Sequence, residues 1–391
     1  QAIENCSLYV KTLPGMAAMV SGEVKFSDIK DVDIEDLLGR LPVPANQELL
    51  TKNIVNKVVL VTGAGGSIGS ELTRQIANLR PRKLNVLDSS EFALYTIEQA
   101  LRIHYASINV SVILASVTNA KTMEQVLNKY RVNTIYRAAA YKHVPMVEAN
   151  PLAGLENNVL GTYTVAQAAL NAKVDNMVLI STDKAVRPTN VMGASKRLAE
   201  LTLQAFAAHS GHTVFNMVRF GNVLGSSGSV VPLFKRQIKA GGPMTVTHPD
   251  IIRYFMTIPE AVELVLQAGN MAKGGEVFVL DMGDPVKIVD LAKKMIYLSG
   301  FTVRDFEHVD GDIEIKFTGL RPGEKLYEEL LIGDNPHQTE HPRIMKANEK
   351  FIQLSELKPK LALLGDCIRS GEAEQAILLL QELVREYKPA L

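Results

Sequence analysis

Short apolar runs separated by helix-length stretches set the rhythm of this chain from Lys57 onward. KVVLVT (57–62), KLNVLD (83–88), SVILA (111–115), TIYRA (134–138), NMVLIST (176–182) and TVFNMVRF (213–220) are continuously apolar rather than alternating. Strands that bury both faces read this way, and strands of that kind belong to parallel sheets covered by helices on each side. The alternation therefore predicts an α/β fold built on a doubly wound parallel sheet of the Rossmann type.

The same pattern divides the chain. Residues 1–52 carry no strand–helix rhythm, and their mixed segments end in the Pro-containing LPVPA, so they are expected to form an arm or linker. Residues 53–222 form the expected sheet domain, to which 250–282 return. A smaller cap is expected over 223–345, where the rhythm weakens and Gly/Pro turns appear at 241–243 and 321–323. Residues 346–391 are expected to be a helical extension, because SELKPKLALLGDCIRSG and EAEQAILLLQELVREY both show helical spacing.

Composition narrows the function classes. At 391 residues, 47% hydrophobic and 21% charged, the chain suits a folded protein with a substantial core. Acidic and basic residues balance at 42 each, so no overall basic field recruits nucleic acid or anionic lipid. The two cysteines, Cys6 and Cys367, lie far apart without metal-ligand spacing, which points to a reducing compartment and to no metal site. No apolar run approaches the roughly 20 residues of a spanning helix.

Candidate chemistry starts at VTGAGGSIGSEL, where Gly63, Gly66 and Gly69 recur every third residue between a strand and a helix. One glycine permits the tight turn, one admits a pyrophosphate to the backbone, and one lets helix and sheet pack closely. Taken alone, the triplet also fits an ordinary turn. Asp88, ending the next strand, sits where a carboxylate grips an adenosine ribose and repels a 2′-phosphate, favouring NAD over NADP; it also suits a helix N-cap or turn. Further on, Thr182, Asp183 and Lys184 follow a buried strand, and Lys196 falls within a helical pattern. An acid beside a base at a strand's carboxyl end suits chemistry in the crevice, although the pair equally fits a solvated loop.

Several motifs in fixed order go further. VTGAGGSIGSEL, AAAYKHVPMVE, STDKAV, PTNVMGASKRLAE, RFGNVLGSSGSV and GLRPGEKLYEELL, spread over about 53–343, resemble the extended short-chain dehydrogenases/reductases that act as UDP-N-acetylglucosamine 4,6-dehydratases in bacterial polysaccharide and glycan biosynthesis. In that superfamily a Tyr normally stands four positions before the helical Lys, whereas here Met192 precedes Lys196. Met with TDK resembles the large, membrane-anchored branch that retains configuration at carbon 5. The resemblance therefore implies a truncated portion of such a protein, with 10–41 as its linker, working at the cytoplasmic side of the inner membrane. Two positions depart from the family pattern: Ser116 replaces an Asp near the adenine, and Arg137 replaces a His before the alanines.

What the resemblance implies for the site can be stated residue by residue. Gly63, Gly66, Ser67, Ile68, Gly69, Asp88, Ala138, Ala139, Ala140 and Lys196 would hold NAD. Tyr141, Lys142, His143, Asn222, Arg253, Arg321 and Glu324 would surround the sugar nucleotide. Lys184 would be the base at carbon 5 and Asp183 the acid toward the departing 6-hydroxyl, with Thr182 on the 4-oxygen. Met192 takes the Tyr position, so the group that deprotonates the 4-hydroxyl stays open among Asp183, Lys184 and a relay through Lys196. Subunits would pair through helices such as 155–172 and 191–208. A nucleotide-sugar 4-epimerase, a carbon-5-inverting dehydratase and a non-catalytic NAD-binding sensor are the alternatives.

Overall fold

The computed structural model describes residues 43–306, 308–329, 336–347 and 349–389, and before these only two paired strands, β1 (Lys11–Thr12) and β2 (Lys30–Asp31). Most of the expected N-terminal arm, Cys6 and the linker over 10–41 thus lie outside the described residues. Among the described residues two compact units emerge: a larger one within 43–221, 258–282 and 322–391, and a smaller one within 222–257 and 283–321.

The larger unit is built on a nine-stranded sheet. Its parallel strands are β3 (Val58–Thr62), β4 (Lys83–Asp88), β5 (Val110–Leu114), β6 (Thr134–Arg137), β7 (Asn176–Ile180), β8 (Val214–Arg219) and β12 (Val277–Leu280). Two antiparallel strands, β16 (His337–Gln338) and β17 (Ile344–Ala347), close one edge, giving the order β16-β17-β12-β8-β7-β6-β3-β4-β5. The six apolar runs are β3 to β8, in the doubly wound order that reverses between β3 and β6. β3 and β7 are buried at every position, which explains their unbroken apolar sequence.

Short α1 (Gln47–Thr51) precedes the sheet, and α2 (Ser67–Asn78), α3 (Glu91–His104) and α4 (Ala120–Tyr130) connect the first strands. After β6 come α5 (Val144–Ala149), α6 (Pro151–Leu155), a π turn over Glu156–Leu160, and α7 (Gly161–Asn171); α8 (Val191–His209) follows β7, and α10 (Ile258–Met271) precedes β12. One apolar core packs β3, β6, β7 and β8 against α4, α7 and α8. A second packs the other side of α8 against α12 (Leu354–Ser370) and α13 (Ala373–Leu383), with Leu357, Leu361, Leu364, Ala376 and Leu380 meeting Val191, Ala194, Leu198 and Leu201. Every residue from Val191 to Phe206 is buried as a result. Cys367 lies buried in this second core.

The smaller unit contains α9 (Val230–Lys239), α11 (Ile288–Leu298) and two three-stranded sheets. One orders β13 (Pro285–Lys287), β11 (Ile252–Met256) and β9 (Asn222–Val223); the other orders β10 (Met244–Val246), β15 (Ile313–Phe317) and β14 (Val303–Arg304). Among the described residues no helix is long and apolar enough to cross a membrane.

Candidate active site

The turn after β3, the turn after β6 and the stretch from β7 into α8 meet at the carboxyl ends of strands beside the point where strand order reverses. Open α/β sheets take their ligands at that place. The first turn is glycine-rich because it has no room. Gly63 has φ +68°, and a Cβ there would lie 2.6 Å from the Ala139 backbone. A Cβ on Gly69 would sit 1.9 Å from the Gly63 carbonyl oxygen. Gly66 is different, its nearest neighbour being 3.4 Å away, and it begins α2 without any side-chain cap. The positive end of that helix is therefore presented to an external anion. A cleft of about 500 Å³ opens there, lined by Gly63, Gly66, Ser67, Ile68, Gly69, Ala138 and Ala140, and continues past Tyr141, Lys142 and His143.

Asp88 is built into this turn. Its two oxygens accept the Gly65 and Ser90 N–H groups, each at 2.9 Å, while Ser90 rather than Asp88 caps α3. Beneath the alanines, Arg137 is buried and donates to the carbonyls of Ala139 at 2.6 Å and Asn157 at 2.8 Å. Burial draws its guanidinium down to about 9, so it stays charged at neutral pH. Ser116 pairs with the Thr118 hydroxyl at 2.8 Å.

Beyond β7, Thr182 caps a single 3-10 turn over Asp183–Ala185. Asp183 is 1% exposed, and its Oδ1 accepts from the Thr182 hydroxyl at 2.8 Å and the Lys184 ammonium at 3.0 Å. Its Oδ2 is buried with no hydrogen-bond partner. Such an oxygen is costly unless a ligand hydrogen reaches it. Lys184 also lies 3.8 Å from Glu328, a residue the motif GLRPGEKLYEELL contains but that was not singled out. Lys184 acts in turn on Lys142, whose ammonium is held below its ordinary range by burial and then by that charge; His143 is lowered by burial and by Lys142.

Lys196, on α8, donates to the Ile180 carbonyl at 2.5 Å. Burial, then the Arg137 charge, pull it down to about 7 against the opposing pull of Glu200. Glu200 receives the Ser181 hydroxyl at 2.6 Å and Arg219 Nε at 2.7 Å, and Arg219 and Arg197 both reach Glu349. Burial would raise the Glu200 carboxyl, but Arg219 and Arg197 hold it below its usual range. This ionic cluster fixes Ser181 and thereby the start of the Thr182–Lys184 stretch.

Met192 is 2% exposed in the second apolar core, with Val147 and Leu198, and only its carbonyl is polar-bonded, to Ser195 Oγ at 2.7 Å. Asn158, in the π turn, was also missed. It holds both backbone groups of Tyr141, at 2.8 and 3.0 Å, and donates to Ser195 at 3.0 Å, tying the turn after β6 to α8. Two adjacent asparagines inside a helical pattern were the available signal, since Asn is a poor helix former and π turns often accompany sites.

The structure thus gathers Gly63 to Gly69, Asp88, Ala138 to His143, Thr182 to Lys184 and Lys196 in the larger unit, where half-buried Glu324 also lies. Asn222, Arg253 and Arg321 belong to the smaller unit. There Arg253 donates to the Ile252 carbonyl at 2.7 Å and Asn222 to the Tyr254 carbonyl at 3.4 Å, and Arg321 is exposed. Among the described residues no cluster of His, Cys, Asp and Glu is arranged to hold a metal ion.

Comparison with known proteins agrees with this geometry. The polysaccharide biosynthesis protein family matches residues 59–349. The capsular polysaccharide biosynthesis protein CapD of Staphylococcus aureus is 51% identical over 336 residues, 86% of this chain but 55% of that relative, so the chain spans about half of its length. UDP-glucose 4-epimerase of Rickettsia rickettsii is 35% identical over 71% of this chain and 78% of its own. The crystal structure of Pen from Bacillus thuringiensis superposes with a TM-score of 0.67 at 32% identity, covering 77% of this chain and 90% of Pen. With its doubly wound sheet, glycine turn and TDK stretch, the chain belongs to the polysaccharide biosynthesis protein family, on the extended short-chain dehydrogenase/reductase fold.

Proposed function

We propose that the chain is an NAD-dependent 4,6-dehydratase of UDP-N-acetylglucosamine that retains configuration at carbon 5. Buried Asp183 and partly buried Lys184, 3.0 Å apart with one carboxylate oxygen unsatisfied, carry the reading. An acid and a base held together in a dry crevice suit removal of one proton and delivery of another within one sugar. The cradle of Gly63, Gly66 and Gly69 with the uncapped start of α2 fits a dinucleotide diphosphate, and Lys196 and Asp88 suit its two riboses. When bound, NAD supplies the acceptor for the hydrogen leaving carbon 4 and the donor for the hydrogen arriving at carbon 6. Thr182 and Asp183 orient the 4-oxygen, Lys184 removes the carbon 5 proton, Asp183 protonates the departing 6-hydroxyl, and Lys184 returns its proton to the same face. A single base serving both directions is what retention requires. Met192 takes no part in proton transfer. Tyr141, Lys142, Glu324, Asn222, Arg253 and Arg321 are assigned to the sugar and diphosphate.

Incubation with UDP-N-acetylglucosamine should yield a product lighter by one water by mass spectrometry, with carbon 5 retained by NMR. An unchanged mass with inversion at carbon 4 would instead favour the second reading, 4-epimerase, which the similarity to the Rickettsia enzyme supports. Inversion at carbon 5 would remove the single-base mechanism, and no turnover at all would leave a binding protein. For the cofactor, Asp88 should favour NAD over NADP by at least tenfold in calorimetric titration of protein stripped of nucleotide, because a 2′-phosphate would face its carboxylate. Equal affinities would sink that assignment.

A further inference from the structure

We propose that Glu328 is the proton acceptor that frees the Lys184 amine, acting through Lys184 rather than on the sugar. The inference rests on the dehydratase reading and deepens it. Lys184 lies between two buried carboxylates, Asp183 at 3.0 Å and Glu328 at 3.8 Å, and Glu328 is 9% exposed. An ammonium has no lone pair with which to remove a carbon 5 proton. Asp183 is committed elsewhere: its proton must go to the departing hydroxyl, and a carboxyl group holds one proton at a time. Glu328, at 3.8 Å, is within reach to take what Lys184 sheds.

Proton bookkeeping closes on this arrangement. The N–H bond of the Lys184 ammonium breaks as an O–H bond forms on Glu328, and the total charge is unchanged. Burial favours this exchange, since it replaces an ion pair by two neutral groups in a dry site. The Asp183 carboxylate takes the proton released from the 4-hydroxyl and so becomes the acid that the 6-hydroxyl needs. The neutral amine takes the carbon 5 proton, Asp183 releases its own with the leaving water, and the amine returns its proton to carbon 5. One proton enters from the 4-hydroxyl and one leaves in water. Carbon 4 is oxidised and carbon 6 reduced by the same two electrons. Lys184 and Glu328 then exchange their proton back.

Glu328 is also well supported for the task. The segment that carries it is anchored by Gly323, whose carbonyl accepts from Thr189 and Asn190 at 3.0 Å each, and by Lys325, which donates to the Val186 carbonyl at 2.9 Å. Among the charged groups that face Lys184 are Asp183 on its own turn, Glu328 from this segment, and Lys142 from the turn after β6. Lys325 is turned to Glu329 at 3.3 Å.

The test isolates the carbon 5 step. The 4-keto-6-deoxy product, presented in deuterated water to enzyme carrying Asp183→Asn so that no carboxylate there can stand in as acceptor, exchanges its carbon 5 proton without needing oxidation at carbon 4, and NMR reads the rate. Glu328→Gln keeps shape and removes the acceptor. Exchange should fall at least about 10²-fold, toward that of Lys184→Met, and recover as pH rises and solvent takes over the acceptor role. Glu328→Asp should restore part of the rate at neutral pH. Were Glu328 merely a counter-charge, its removal would lower the Lys184 affinity for a proton and exchange would hold or quicken, which overturns the proposal. Loss of exchange that no pH restores, in a variant with wild-type melting, also overturns it. Absence of exchange in the unmodified chain is a different result, which removes the dehydratase reading itself.

Discussion

Lys184→Met should halt the reaction between carbon 4 and carbon 5, with a 4-keto sugar that still carries its 6-hydroxyl accumulating on the protein. Turnover should fall at least about 10²-fold, the ordinary contribution of one general base. Methionine keeps the length and apolar stem of the side chain, so the turn after β7 should persist. Asp183 then loses its ammonium partner at 3.0 Å and keeps only the Thr182 hydroxyl at 2.8 Å. The carboxyl group survives while the base is gone. Asp183→Asn should do the converse. Carbon 5 of the added 4-keto-6-deoxy product should still exchange with deuterated solvent while turnover of the substrate is lost, because the amine remains and the carboxylate does not. Near-normal turnover in Lys184→Met, or carbon 5 exchange in it at the unmodified rate, would overturn the assignment of the base.

Gly69→Ala should abolish dinucleotide binding while leaving a folded protein. The added methyl would sit 1.9 Å from the Gly63 carbonyl oxygen, a backbone atom that cannot swing aside. Either α2 shifts off the sheet or the turn opens, and in both cases the start of the helix no longer faces the diphosphate. Overpacking of this kind typically costs roughly 1–3 kcal/mol, so thermal melting should drop by several degrees. Gly211→Ala is the control, because nothing lies within 4 Å of its added methyl. Titration with NAD, followed by calorimetry, reads the difference. Wild-type affinity in Gly69→Ala would show that the close contact in the turn is not what shapes the cradle.

Much of the fold was legible because burial on both faces leaves an unbroken apolar signature, which β3, β4 and β6 to β8 carry; β5 reads the same in sequence but lies at the sheet edge, where Val112 and Leu114 are exposed. The glycine turn was legible for a steric reason, since only residues without Cβ survive at Gly63 and Gly69. Side chains that act through folding were not. Glu328 stands more than a hundred residues from Lys184 in sequence, so no spacing rule could pair them. Asn158 works by bonding a backbone, which leaves no mark on neighbouring residue types. Arg137 appeared only as a departure from a family pattern, and its two carbonyl acceptors belong to the tertiary structure. Asp88 was read as a ribose carboxylate or as a helix cap or turn residue, and its bonds to Gly65 and Ser90 make it a brace of the turn, with Ser90 capping α3.

The C-terminal helices α12 and α13 bear on assembly. They lie on α8, the helix through which pairing of two subunits was expected, and Val191 to Phe206 is covered within a single chain. Arg197 is tethered to the same segment through Glu386 at 3.6 Å, and the Lys388 N–H donates to the Pro188 carbonyl at 3.1 Å. A second copy could reach α8 only by peeling the two helices away. The packing that steadies Lys196 is therefore unimolecular and independent of concentration. Dilution that would separate a dimer leaves it intact.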